Sequence, residues 1–161
     1  MIAMPVVSTR VLNEVCAEIK NYFVDSRNYL HVGFFAITDG KIVPSVPMTS
    51  SYYRIVGSVL NDGVHRVGDN DLIDEPTFDG AVWVMCPSHD FLRLVADIEA
   101  WQDKYDNGTD SVVNSPYQSE SFGGYSYTKA TGSGSDGSSS ITWQNQFAKR
   151  LKPYRRLRLL P

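Results

Sequence analysis

The sequence predicts an α+β fold with an N-terminal helix, a small antiparallel β-sheet, a central amphipathic helix, a short C-terminal helix and an extended basic tail. Three observations predict it. Apolar residues recur at helical spacing in two stretches, β-branched and aromatic residues concentrate between residues 30 and 86, and turn-forming dipeptides divide that region. At 161 residues, the chain is long enough for one domain with a sizeable core.

Residues 9–26 are predicted to form the first helix. Val11, Val15 and Ile19 recur at the spacing of one helical face, and polar residues occupy the other side. Ser8 or Thr9 is the expected N-cap.

The following region is predicted to form a sheet of four or five antiparallel strands. Asp39-Gly40 and Asn61-Asp62-Gly63 are typical of hairpin loops, since Asn, Asp and Gly tolerate the positive φ of tight turns. The segment between Pro44 and Pro47 is expected to be a loop or a sheet edge, because proline cannot donate a ladder hydrogen bond. The expected strands are Leu30–Ile37, Tyr52–Leu60, Val64–Val67 and Ala81–Met85.

Residues 88–106 give the clearest helical pattern. Ser88 is a good N-cap, Asp90 lies in the first turn, and Asn107-Gly108 supplies a stop. One stripe joins Phe91, Leu94, Val95, Ile98, Trp101 and Tyr105.

The last third of the chain changes composition twice. It is polar and glycine-rich from residue 107 to 140, with a short strand predicted from Tyr125 and a flexible Gly/Ser linker over 131–140. Residues 141–152 are predicted to be helical. These changes suggest a core domain over 1–130, the 131–140 loop, and a C-terminal helix with a docking tail over 141–161.

Charge is distributed unevenly. The net charge is −3, but residues 149–161 contain six cationic side chains and no acid, which leaves the rest of the chain at −9. Leucines and Tyr154 interleave these charges, and they would face water in an unbound tail. We therefore hypothesise that the tail docks on a partner, either DNA or the acidic face of a neighbouring subunit; the alternative is a solvated terminus.

Motifs that would carry chemistry are not found in the sequence. His31, His65 and His89 are scattered, and neither Cys16 nor Cys86 lies in a CxxC pair. The acidic cluster at 69–75 lacks the glycine of a calcium-binding loop and is interpreted as a solvated loop. The sequence predicts a protein that is not an enzyme and has neither catalytic residues, metal nor cofactor.

The sequence also gives expectations about membranes, export and the state of the cysteines. No apolar run approaches the roughly 20 residues that span a bilayer, and the N-terminus is a poor signal peptide. Both cysteines lie in apolar surroundings and are expected to be buried thiols. We expect a protein without a membrane partner.

Two segments carry a family resemblance. The element SESFGGYS, followed by a glycine-rich stretch and a short helix ending in LKPYRR, resembles the head-tail connector (adaptor) proteins of long-tailed bacteriophages. Residues 52–67 and 72–105 are also similar to elements of phage neck and tail-completion proteins, so the resemblance covers about two thirds of the chain. The matching residues are Ser119, Glu120, Ser121, Phe122, Gly123, Gly124, Tyr125, Ser126, Trp143, Phe147, Leu151, Pro153, Tyr154, Arg155 and Arg156.

The resemblance implies a homo-oligomeric ring, often twelve-fold, in the virion neck, assembled in the host cytoplasm. Its partners would be the portal protein, a stopper or tail-completion protein, and the genomic DNA that passes through the channel. Typical adaptors are nearly all helical, whereas residues 30–86 are predicted to be β, so a head-completion stopper or tail-completion protein is the alternative. A nucleic-acid-binding module that uses the basic tail is a further alternative. The predicted docking residues are Lys149, Arg150, Leu151, Lys152, Pro153, Tyr154, Arg155, Arg156, Leu157 and Arg158.

Overall fold

A computed structural model describes residues 3–24, 30–105, 119–122, 125–128 and 142–156. The helices are α1 (Thr9–Ile19), α2 (His89–Tyr105), α3 (Trp143–Gln146) and α4 (Ala148–Leu151), and a 3-10 turn follows at Lys152–Tyr154. The strands are β1 (Leu30–Thr38), β2 (Lys41–Val43), β3 (Tyr52–Val56), β4 (Gly63–Arg66), β5 (Glu75–Met85), β6 (Ser119–Phe122) and β7 (Tyr125–Thr128). The predicted α+β class is confirmed.

Five strands form one antiparallel sheet in the order β2-β1-β5-β3-β4. The Asp39-Gly40 turn joins β1 to β2 as predicted, and β3 pairs with β4 around a loop that ends at the predicted Asn61-Asp62-Gly63. β5 lies in the centre, where it pairs with β1 on one side and β3 on the other. Strands β6 and β7 pair separately as a hairpin.

Each face of the sheet carries its own core. On the helix side, Tyr52, Val64 and Met85 pack with α1 and α2. On the opposite side, Tyr53, Ile55, Val82, Phe35, Ile37 and Phe78 form a second cluster, which Ile42, Val46, Met48 and Leu72 cover. Helices therefore cover part of one side of the sheet, and residues of β2 and of the loops pack on the cluster at the other side.

The stripe predicted for the central helix is confirmed. All of its six residues are buried, and the Ser88 hydroxyl caps the helix by accepting from the Phe91 N–H at 3.2 Å. For the first helix, Val11, Val15 and Ile19 are buried as expected. Ser8 occupies the predicted N-cap position, but its side chain makes no capping hydrogen bond. The Ser8 N–H donates to the Glu99 carboxylate at 3.2 Å.

Three predicted bounds need correction, each for a local reason. α1 ends at Ile19 and not at 26, because Lys20 turns into the left-handed region at φ 55°. β3 ends at Val56 because Gly57 adopts φ 92°. β5 begins at Glu75, six residues before the predicted start, and a register shift between Phe35 and Ile37 accommodates Pro76 in a central strand.

The C-terminal segment belongs to the same core as the N-terminal helices. Trp143, Phe147 and Leu151 are buried in the cluster that contains α1 and α2. The predicted C-terminal helix therefore packs on the predicted 1–130 core, and the predicted domain bounds stay a prediction. The predicted linker, 131–140, lies outside the described residues.

Candidate assembly surfaces

The basic C-terminal segment is held by its own subunit. Arg150 donates to Asp97 at 2.8 Å, and Arg155 pairs with Glu18 at 3.2 Å. The Arg156 N–H donates to the Ile19 carbonyl at 3.2 Å, and Asn21 donates to the Tyr154 carbonyl at 2.9 Å. These contacts fasten the segment onto α2, through Asp97, and onto the end of α1.

The prediction that the tail leaves its own body is therefore corrected for residues 149–156, and the prediction that their exposed side chains contact a partner stays a prediction. Leu151 is buried, and the segment does not project from the body. The side chains of Lys149, Lys152 and Arg156 remain exposed, as does Pro153. Leu157 and Arg158 lie outside the described residues.

The element SESFGGYS forms two paired strands in its described part. Ser119–Phe122 pairs antiparallel with Tyr125–Thr128, so that Ser119 faces Thr128 and Phe122 faces Tyr125. The strand predicted from Tyr125 is confirmed. Gly123 and Gly124, between the strands, lie outside the described residues.

A second candidate surface, absent from the sequence prediction, lies on the helix side of the sheet. Cross-strand partners share a face, and Leu30, Val32 and Phe34 are paired with Trp83, Ala81 and Asp79. Val32 and Phe34 are 73% and 75% exposed. We call Leu30, Val32 and Phe34 the β1 stripe; it is an apolar row on a sheet face that the helices leave open.

A cavity of about 530 Å³ adjoins this stripe at Leu30. Its lining contains three cationic side chains, those of Lys20, Arg54 and Arg156, and the described residues that line it include no acid. Tyr22 and Trp83 supply aromatic walls. We call it the cationic cavity.

One cation of this cavity, Arg54, packs against two aromatic rings. Its guanidinium carbon lies 4.0 Å from the centroid of the Tyr22 ring and 4.7 Å from that of Trp83, an arrangement that orients a cation between two π faces. The buried nitrogens Arg54 Nε and Trp83 Nε1 have no hydrogen-bond acceptor. Both nitrogens are buried, so what the described lining of the cavity offers to a ligand is positive charge without a carboxylate.

Burial dominates the chemistry of the groups beside Arg54. It raises the pKa of the Cys16 thiol to about 12, although the positive charge of Arg54 opposes the shift. Burial likewise raises the pKa of the Tyr22 hydroxyl, again against the effect of Arg54. Neither group supplies an anion to Arg54 at neutral pH. Cys86, contrary to prediction, is exposed.

A third candidate surface is the loop between β4 and β5, residues 67–74. Asp69, Asp71, Asp74 and the apolar Val67 and Ile73 are exposed on it. The next residue, Glu75, was predicted to be solvated but is buried. Its carboxylate accepts hydrogen bonds from the Ser58 hydroxyl, the Val59 N–H and the Asn61 amide.

These hydrogen bonds have an electrostatic consequence. The Ser58 hydroxyl first, and then the backbone N–H groups of Val59 and Leu60 and the Asn61 amide, lower the pKa of Glu75 against the effect of burial. The carboxylate therefore stays ionised and fastens the turn after β3 to the start of β5.

His65 and Asn61 hold the rest of the 67–74 loop. Asn61 makes two hydrogen bonds to the backbone of Ile73, at 2.7 and 2.8 Å. The His65 ring stacks on Tyr53, and its nitrogens contact the Asp71 carboxylate at 2.9 Å and the Asn61 carbonyl at 2.7 Å. The loop is thus an ordered surface and not a loose acidic run.

Across the described ranges, no three His, Cys, Asp or Glu side chains are grouped so that they could hold a metal ion. No described helix is both long and apolar enough to cross a membrane. The sequence matches no protein-family model, and neither curated proteins nor solved structures give a match.

Proposed function

We propose that this chain is a structural subunit of a bacteriophage neck, a head-tail connector that forms a ring below the portal around the DNA channel. The observation that carries the proposal is the β1 stripe, an open apolar face next to a cavity whose described lining holds three cations and no acid. Such a surface suits protein contact, because a contiguous exposed apolar patch on a soluble domain is typical of an interaction site.

The choice of a neck protein among assembly proteins rests on the sequence resemblance. The SESFGGYS element forms a β-hairpin, and the LKPYRR element completes the core on α1. This placement supports an adaptor in which the LKPYRR element helps to form the core of its own subunit. The five-stranded sheet favours keeping a stopper or tail-completion protein of the same neck as the second candidate.

The geometry supports a nucleic-acid-binding module less well. Arg150 and Arg155, two of the cations on which that alternative depends, are paired with Asp97 and Glu18. Paired cations contribute less to the phosphate contacts and counterion release that drive nucleic-acid binding.

Native mass spectrometry of the protein mixed with its cognate portal protein tests the proposal. We expect one portal ring to carry several copies of this chain. Binding only to a portal that already carries an adaptor ring would support the stopper alternative. Absence of a complex with both the bare and the adaptor-bearing portal would contradict a neck role.

A further inference from the structure

We propose that copies of this chain contact one another head to tail, with the 67–74 loop of one copy docked on the β1 stripe and cationic cavity of the next. The inference rests on the proposed ring and names the two surfaces that build it. The occupant of the open sheet face is thus a second copy of the chain.

The two surfaces lie on opposite faces of the same sheet. Leu30 pairs with Trp83, and Trp83 with Arg54, so the β1 stripe and Arg54 share the helix side with Tyr52. Within the 67–74 loop, Leu72 and Asp71 lie on the other side, because Leu72 packs on the second core and Asp71 contacts His65. One copy can therefore offer both surfaces at once.

The surfaces are chemically complementary. The cavity presents Lys20, Arg54 and Arg156 beside an apolar stripe, whereas the loop presents Asp69 near the exposed Val67 and Ile73. Opposite charges flanked by apolar groups are the arrangement that steers and fixes a protein contact.

Asp69 is the acid of the loop best placed to leave its own subunit. Asp71 is bound to His65 at 2.9 Å, and Asp74 accepts from the Gly40 N–H at 2.9 Å. Asp69 has a long ion pair with Arg66, at 3.8 Å, and stands next to Asn70, which adopts φ 49°. Its carboxylate would supply the negative charge that the described lining of the cationic cavity lacks.

The loop is preorganised for this contact. The hydrogen bonds of Asn61 to Ile73 and of His65 to Asp71 fix its backbone before any partner arrives. A surface that is already ordered loses less conformational entropy on binding.

A contact between two different surfaces repeats from copy to copy. Such head-to-tail contacts give a closed ring when the rotation closes and a filament when it does not. Each contact is small, and closure of the ring multiplies its effect.

Charge reversal across the contact tests the pairing. Arg156→Glu and Asp69→Arg change exposed side chains, so each single variant should fold and should weaken self-association on the order of tenfold, because attraction becomes repulsion. Sedimentation velocity over a concentration series measures this change. The double variant Arg156→Glu/Asp69→Arg should recover most of the lost self-association. Lys149 is an exposed cation that does not line the cavity, so Lys149→Glu is the control and should self-associate like the wild type. Equal self-association of the wild type and both single variants would overturn the pairing.

Disulfide cross-linking tests the geometry. With Cys86→Ser as background, the variant Phe34→Cys/Ile73→Cys should give a ladder of dimers, trimers and larger species on oxidation at high protein concentration, whereas either cysteine alone should stop at dimers. Only dimers, or no cross-linked species, from the paired variant would overturn the head-to-tail contact. Portal binding without a ladder would contradict the head-to-tail contact and leave the proposed function standing. A ladder without portal binding would support the head-to-tail contact and contradict the proposed function.

Discussion

Replacing Phe147 by alanine tests whether the C-terminal segment is part of the core. Phe147 is 0% exposed and packs in one cluster with Trp143, Leu151 and the two long helices. Truncation of a buried Phe to Ala costs about 3–5 kcal/mol. For a chain of this size, each kcal/mol lowers Tm by about 2–4 °C, so the melting temperature should fall by about 10 °C.

The loss should appear in thermal unfolding followed by circular dichroism and in urea unfolding followed by tryptophan fluorescence, to which Trp143 contributes. Lys149→Ala, two residues along and exposed, is the matched control and should change stability by less than about 0.5 kcal/mol. A Phe147→Ala variant as stable as this control would refute the packing and restore the segment as a detachable anchor.

Two further predictions concern ionisable groups. The folded-state pKa of Glu75 lies below its ordinary value of 4.5, so its ionised form stabilises the fold above pH 4.5 and this contribution is lost as pH falls through the lowered pKa. Glu75→Gln should therefore flatten the acid side of a profile of Tm against pH. Asp103→Asn, an exposed change on α2, is the control and should leave that profile unchanged. Cys16 is buried with its pKa raised to about 12 and Cys86 is exposed, so a thiol reagent should modify Cys86 promptly and Cys16 only in denaturant; prompt modification of both thiols in the native protein would contradict the packing of α1.

Local pattern was enough to predict the elements whose signals come from neighbours in sequence. The stripe on α2 and the Asp39-Gly40 hairpin are set by 3.6-residue spacing and by turn chemistry, and both are confirmed. The start of β5 was missed because Pro76, Asp79 and Gly80 are typical of turns. There the tertiary pairing with β1 and β3 overrides local propensity.

Local pattern also does not predict where the C-terminal segment packs. Trp143, Phe147 and Leu151 indicate an apolar helical face, but spacing alone does not say which core the face joins. Its partners on α1 are more than a hundred residues away in sequence. Apolar residues between positive charges indicate a docking surface by pattern alone, whereas in the structure Leu151 is a core residue. Arg150 and Arg155 are ion-paired on the surface of the same subunit.

The candidate surfaces depend on contacts between distant parts of the chain. The cationic cavity joins Lys20, Arg54 and Arg156 from three separate segments. The residue types of the β1 stripe are those of a buried strand. Only the order of the strands and the position of the helices show that Val32 and Phe34 are left uncovered. The one signal in the sequence is the alternation of apolar and other residues over the first half of β1, from Leu30 to Phe34.

Electron cryomicroscopy of the assembly that this chain forms with its cognate portal tests the central claim most directly. We expect a closed ring around an open channel, in which residues 67–74 of each copy cover Val32 and Phe34 of the next. A map in which the chain is absent from the portal, or bound as isolated copies with the β1 stripe facing solvent, would contradict the account.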